Sequence, residues 1–293
     1  MIYGITGNTS KDVLWEPLAS TLHWMQQEDL AFCLHPRIAE GLASRSLLPA
    51  DACTHHETET LSEDSDVILS FGGDGTLLHS AREAGTTHTP ILGVNIGRLG
   101  FLADVETEQI QDAIRAMEQG AYRVEERTLL DVQASGTDVL APTWALNEFA
   151  IERSGQAGLL SIRVEIDGGF LNEYWGDGLI VATPTGSTAY SLSVGGPIIA
   201  PGAGVVVLSP VAPHTLTVRP VIVPDTSRLS LRVYSRENPY VVAVDGKGTR
   251  VEQGDVVFEV TRAAHTIHLI KLLGQGYFDT LRSKLMWGAG KTR

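Results

Sequence analysis

The chain has 293 residues, 43% apolar and 19% charged, which excludes a disordered or fibrous protein and allows two domains of ordinary size. A net charge of −13 argues against nucleic acid as a partner, because a duplex binder needs a basic face. Cys33 and Cys53 offer neither a disulfide framework nor a CxxC metal spacing, and they fit a reducing cytoplasm.

Met1–Gly7 reads as a short apolar strand without the basic leader of a signal peptide. No apolar run approaches the ~20 residues that span a bilayer, so a cytoplasmic protein without a membrane partner is expected. Val13–Gln27 carries a helical pattern through Leu14, Leu18, Leu22 and Met25. Asp66–Phe71 (DVILSF) is a continuous apolar run that ends in glycines, as a buried parallel strand does. A helix is expected from Thr76 to Ala84, a second buried strand over Pro90–Asn95, and another helix over Ile110–Gln119. Strands alternating with helices imply a parallel, Rossmann-like sheet covered by helices.

The texture changes near Arg127. Short β-rich runs then follow one another: Leu130–Ala134, Asn147–Glu152, Ser161–Ile166, Leu179–Thr183, Val205–Leu208, Arg219–Val223, Leu229–Tyr234, Val241–Val244 and Val256–Thr261. Asp167-Gly168-Gly169 and Asp245-Gly246 are turn signals between them. Tyr277–Trp287 returns to a helical pattern with Phe278, Leu281 and Leu285. The expected layout is an α/β domain over 1–127, completed by 277–293 packing back on it, and an all-β domain over 128–276.

Gly72-Gly73-Asp74-Gly75-Thr76 joins the buried strand to the helix that follows. At the carboxyl edge of a parallel sheet such a loop lets backbone N–H groups approach a phosphate, with the helix N-terminus behind them. The three glycines are expected to supply positive φ as well as close approach. Asp74 is the informative residue: a carboxylate repels phosphate, so it is costly there unless it handles a proton or a metal, the alternative being an Asp that bonds nearby backbone to stabilise the turn. The loop therefore points to a kinase acting on a hydroxyl. The usual nucleotide fingerprints are missing. Gly290-Lys291-Thr292 has Leu285 where a P-loop needs its first glycine, and Gly93–Gly100 does not fit GxGxxG.

Trp175–Ile198 packs Thr185, Gly186, Ser187, Thr188, Tyr190, Ser191 and Ser193 behind an apolar strand, which suits hydrogen bonding to a polar ligand with Tyr190 against a ring. Asn147-Glu148 is a polar pair in an apolar setting, weak alone because such a pair is as often a strand-edge feature, but able to donate to and accept from a base edge or a ribose.

These three segments, with Asn95–Leu102 (NIGRLGFL), Ser209–Leu216 (SPVAPHTL) and Leu281–Gly288 (LRSKLMWG), resemble the ATP-NAD kinase family of bacterial type, in order and over most of the chain. The resemblance implies NAD as substrate, ATP with a divalent metal (magnesium) as donor, and a homodimer or homotetramer with shared sites. Asp74 resembles the family's catalytic base, taking the proton of the 2′-hydroxyl of the adenosine ribose; no side chain is assigned to a metal. Gly75 and His79 match positions near the nucleotide. Asn147 and Glu148 resemble the pair that holds NAD. Asp177, Thr185, Thr188, Ala189, Tyr190, Ser191, Leu192 and Ser193 match its lining, with Ala212 a further contact. Trp175 and Lys247 depart from the family pattern, where a basic residue and a glutamine are usual, and stand at two more expected contacts. A lipid or sphingoid kinase shares the glycine loop but needs an apolar pocket, and Thr183–Ser193 is too polar for an acyl chain. A nucleotide-sensing module without catalysis would have no use for Asp74.

Overall fold

The computed structural model describes residues 1–49, 56–97, 100–103, 105–135, 143–155, 158–234, 239–252, 255–274 and 276–287. Cys53, Arg98, Leu99, Gly288 and Gly290-Lys291-Thr292 lie outside the described residues. The chain forms two compact units, Met1–Glu126 with Ile267–Arg293, and Arg127–Thr266.

The first unit is α/β. Its strands β1 (Ile2–Gly7), β2 (Ala31–Leu34), β3 (Val67–Gly72) and β4 (Ile91–Asn95) are all parallel, in the order β2-β1-β3-β4. The two-residue β5 (Val105–Glu106) extends β4. Helices α1 (Trp15–Gln27), α2 (Pro36–Ser44), α3 (Asp74–Ala84) and α4 (Ile110–Glu118) connect or follow these strands. Leu18, Leu22 and Met25 of α1 recur at helical spacing and are buried with Tyr3, Ile5, Leu69 and Phe71. In α2 the His35 ring nitrogen accepts from the Arg37 N–H at 3.2 Å, and Pro36 supplies the fixed φ suited to a first turn. The strand order reverses between β1 and β3, which stay paired as far as Gly7 and Phe71, and open α/β sheets bind ligands just outside the carboxyl ends at such a point.

The second unit is built of strands. They are β6 (Tyr122–Ser135), β7 (Trp144–Ala145), β8 (Glu148–Arg153), β9 (Leu160–Ile166), β10 (Gly169–Gly176), β11 (Gly178–Ala182), β12 (Val205–Val211), β13 (Val221–Pro224), β14 (Leu229–Tyr234), β15 (Tyr240–Val244), β16 (Lys247–Val251) and β17 (Val256–Leu272). One antiparallel sheet runs β13-β12-β11-β8-β15-β16; another runs β10-β9-β14-β17 with β6 beside β17. Phe149, Ile151, Val181 and Leu208 of the first pack with Ile162, Val164, Leu231 and Phe258 of the second. Ile180, Ala182 and Val207 point to the other face, under Ile199. Leu179–Ala182 is therefore buried on both faces, which is why it reads as an unbroken apolar run.

The hydroxyl-rich segment between β11 and β12 is helical in part: a 3₁₀ turn over Gly186–Thr188 leads into the one-turn α5 (Tyr190–Ser193). The chain re-enters the first unit at Ile267, where Leu269 of β17 lies parallel to Ile91. Helix α6 (Tyr277–Lys284) buries Leu281 there and leaves Phe278 61% exposed. It stops short of Trp287, with Met286 in the left-handed region at φ +52°.

Candidate active site

The carboxyl ends of β1 and β3 frame a cavity of about 330 Å³ lined by Gly7, Asn8, Thr9, Ser10, Arg37, Gly75, Thr76 and His79. The glycine loop uses its glycines for space, and none of Gly72, Gly73 and Gly75 has a positive φ, contrary to the expectation from composition. A methyl on Gly72 would lie 2.1 Å from Thr76 Oγ1, so the first turn of α3 can fold back over β3 only without that side chain. Gly73 and Gly75 have no neighbour within 4 Å of such a methyl. Among the described residues nothing requires glycine at either place, and both leave their backbone uncovered. The N–H groups of Thr76 and Leu77 already bond Gly73 O, those of Asp74 and Gly75 precede the intrahelical bonds of α3, and Arg37 adds a positive charge to the same cavity. An acidic chain thus presents local positive potential at its sheet edge.

His79 reaches Glu83 at 3.4 Å, and His35 reaches the same oxygen at 3.3 Å. Burial opposes ionisation of Glu83, but the His35 hydrogen bond and the charges of His79 and Arg37 outweigh it and hold the carboxyl below its ordinary value. Glu83 is thereby a fixed negative partner that orients His79 beside the cavity.

Asp74 heads α3, and its carboxylate accepts three consecutive backbone N–H groups. Phe101 donates to Oδ2 at 2.9 Å, and Leu102 and Ala103 donate to Oδ1 at 2.9 and 3.2 Å. A carboxylate has about four acceptor positions, so one on Oδ2 remains beyond these three donors. Gly100 sits against the same group, where a methyl would come within 1.9 Å of Oδ1. The buried Lys271 of β17 donates to the Leu102 carbonyl at 3.3 Å and ties the Phe101–Ala103 segment from behind.

In the second unit, Asn147 and Glu148 are each 8% exposed. Glu148 Oε2 is buried with no hydrogen-bond partner among the described residues. Burial, then the charge of Asp245, pushes the Glu148 carboxyl up to about 7; the Tyr190 backbone N–H opposes this and Glu152 adds to it. A second cavity of about 330 Å³ brings Asp177 and Tyr190 together with Glu152, Arg153, Gly155, Val211 and Val241. Arg153 Nε pairs with Asp177 at 2.6 Å, and the Tyr190 hydroxyl donates to the Glu152 carboxylate. That hydrogen bond, helped by burial, raises the Tyr190 hydroxyl to about 12.

The hydroxyls of the Thr183–Ser193 segment largely serve the segment itself. Thr183 donates to Leu146 O at 2.6 Å, Ser187 to Pro184 O at 2.7 Å, Thr188 to Thr185 O at 3.2 Å and Ser193 to Tyr190 O at 2.8 Å, while Ser191 pairs with Ser209 at 2.8 Å. Their density reflects a self-supporting turn as much as a ligand surface. Thr185 is buried, Ala189 and Leu192 are half-buried, and Ser193 is exposed. Trp175, Ala212 and Lys247 are exposed and line neither cavity, although Gly176 abuts Val211–Pro213 and Ala212 has φ +41°.

The description "ATP-NAD kinase N-terminal domain" matches residues 14–122, and "ATP-NAD kinase C-terminal domain" matches residues 146–272. The chain belongs to the ATP-NAD kinase family. An NAD kinase of Bacteroides fragilis is 46% identical over 289 residues, covering 99% of each chain. One of Cytophaga hutchinsonii is 34% identical over 288 residues, covering 98% of each. The fold is shared with yeast NADH kinase, solved with NADH, at a TM-score of 0.87 and 23% identity, over 100% of this chain and 89% of that one. It is shared also with an NAD kinase of Archaeoglobus fulgidus solved with ATP, at a TM-score of 0.73 and 23% identity, over 98% and 99%.

Sequence reasoning missed Asn8–Ser10 and Arg37 beside the ATP-NAD kinase glycine loop, the Phe101–Ala103 segment on Asp74, and Glu152, Arg153 and Asp245 beneath the expected NAD contacts. The strand order is the one signal that could have found Asn8–Ser10, since it places the loop after β1 opposite the loop after β3.

Proposed function

We propose that the chain transfers a phosphoryl group from ATP to the 2′-hydroxyl of the adenosine ribose of NAD, giving NADP. One observation carries the chemistry: a carboxylate held by three N–H donors at the head of α3, beside a cavity lined by bare glycine backbone and Arg37. The donor's phosphates take the α3 N-terminus, Arg37 and the hydroxyls of Thr9, Ser10 and Thr76; magnesium arrives with ATP as part of the substrate. Asp74 accepts the ribose hydroxyl on the free position of Oδ2 and takes its proton as the new O–P bond forms and the bond from the γ-phosphorus to the departing ADP breaks. In-line transfer asks little covalent chemistry of the protein, so charge stabilisation and orientation supply most of the acceleration. Asn147, Glu148, Asp177, Tyr190 and the segment from Thr185 to Ser193, with Ala212, hold the acceptor, and Trp175 and Lys247 contribute at its edge. The enzyme works in the cytoplasm as a homo-oligomer, which light scattering of the purified protein tests.

NADP formation from NAD and MgATP, followed with an NADP-specific dehydrogenase, tests the reading; a purified, folded chain that forms none overturns it. Gly100→Ala tests the geometry around Asp74. The added methyl would lie 1.9 Å from Oδ1, so the carboxylate must shift, and a misplacement of that order costs up to about 10²-fold in kcat. Steady-state kinetics should show this loss with KM for NAD within about threefold of wild type.

A further inference from the structure

We infer that Asp245 is a positioning residue for NAD binding, holding the Leu146–Glu148 turn in shape through three backbone N–H groups. This rests on the reading that Asn147 and Glu148 hold NAD. Asp245 Oδ2 accepts from Leu146 N at 2.9 Å, and Oδ1 accepts from Asn147 N at 2.7 Å and Glu148 N at 3.2 Å. Its own N–H donates to the Glu148 carbonyl at 3.0 Å, so the two residues are tied in both directions. The opposite side is closed by Thr183, whose N–H bonds Asn147 O at 2.9 Å and whose hydroxyl bonds Leu146 O at 2.6 Å. A methyl on Gly186 would lie 2.1 Å from Asn147 O, so that wall is in contact as well.

Backbone donors and acceptors of the turn are thus consumed by protein, which leaves the side chains of Asn147 and Glu148 for a ligand. The buried, unpartnered Oε2 of Glu148 is the independent sign that a ligand group completes this place. Asp245 and Gly246, at φ +48° and +76°, form the two-residue turn between β15 and β16. Asn-Gly would serve that turn equally well. An ionised carboxylate adds charge-assisted acceptance of several N–H groups at once, which a neutral amide cannot reproduce.

The test compares Asp245→Asn and Asp245→Ala with Asn147→Ala in the full chain, by initial rates in NAD and in ATP. Asp245→Asn keeps one oxygen for the Asn147 and Glu148 N–H groups and opposes Leu146 N–H with a donor. It should raise KM for NAD about tenfold, with kcat within about twofold and KM for ATP unchanged; Asp245→Ala should raise it further. The groups acting on Glu148 are the charges of Asp245 and Glu152 and the Tyr190 N–H, so the midpoint of the NAD KM against pH should move below its position near 7 in Asp245→Asn. A purely structural role would lower the folded fraction and rate without moving that midpoint. Asp245→Asn with unchanged KM for NAD and unchanged midpoint, alongside a raised KM in Asn147→Ala, overturns the inference alone. Unchanged KM in Asn147→Ala overturns the reading beneath it.

Discussion

Asp74→Asn is expected to lower kcat about 10²–10⁴-fold while NAD binding, measured by calorimetry, stays within about threefold of wild type. The amide can still accept on one oxygen but has no basic position for the ribose proton. The structure adds a second consequence. Phe101 N–H now donates to Asp74 Oδ2 and would face an amide donor, or Leu102 and Ala103 would if the amide flips. Leaving one N–H unanswered costs about 1–3 kcal/mol, so the variant should also unfold at lower denaturant. The structural and chemical roles separate through Gly100→Ala, which disturbs the same clamp but keeps the carboxylate. If Asp74 only anchored the Phe101–Ala103 segment, the two variants would lose similar rates. If it handles the proton, Asp74→Asn falls well below Gly100→Ala. Near-normal turnover in Asp74→Asn removes it from the reaction.

What could be read before the structure was local chemistry. Val67–Phe71 is buried on both faces, so its apolar run shows no alternation and ends where the glycines begin. Asp167-Gly168 and Asp245-Gly246 both form two-residue turns with positive φ, as Asp-Gly between β-rich runs implies. The losses lie where short elements lean on distant ones. β2 is four residues, and α2 depends on Gly41, where a methyl would strike the Trp15 ring at 1.9 Å. Neither has enough period to stand out. β10 alternates weakly because much of it is only half-buried.

The candidate site residues stood out in the sequence as side chains, and the groups that support them did not. Asn147-Glu148 looks weak in isolation because its shape is set by Asp245, 98 positions away from Asn147. Tyr190 is oriented by Glu152 across 38 positions, and Asp74 by N–H groups 27 to 29 positions on. Backbone donors carry no residue type, so no motif could announce them. The glycine loop shows the converse error. Composition suggested left-handed backbone, whereas Gly72 is dictated by contact with Thr76, and Gly73 and Gly75 by nothing among the described residues.

Glu148→Gln carries the second large effect, on stability and its pH dependence. Burial and the charge of Asp245 push the Glu148 carboxyl from 4.5 to about 7 in the folded chain. The raised value means that the folded state binds this proton more tightly than the unfolded chain does. The associated stability is fully present below pH 4.5 and is lost as the pH rises through 7. A shift of this size corresponds to about 3 kcal/mol, since one pKa unit is worth about 1.4 kcal/mol. Gln cannot ionise and avoids that loss. Denaturant unfolding at about pH 4 and about pH 8 should therefore show the variant gaining about 3 kcal/mol on wild type between the two, whatever fixed offset the new amide introduces. A difference that does not change with pH would show Glu148 ionising in the folded chain as it does in the unfolded one. Bound NAD should shrink the gain, because a ligand that offers Oε2 a hydrogen-bond partner relieves the same buried charge that the substitution removes.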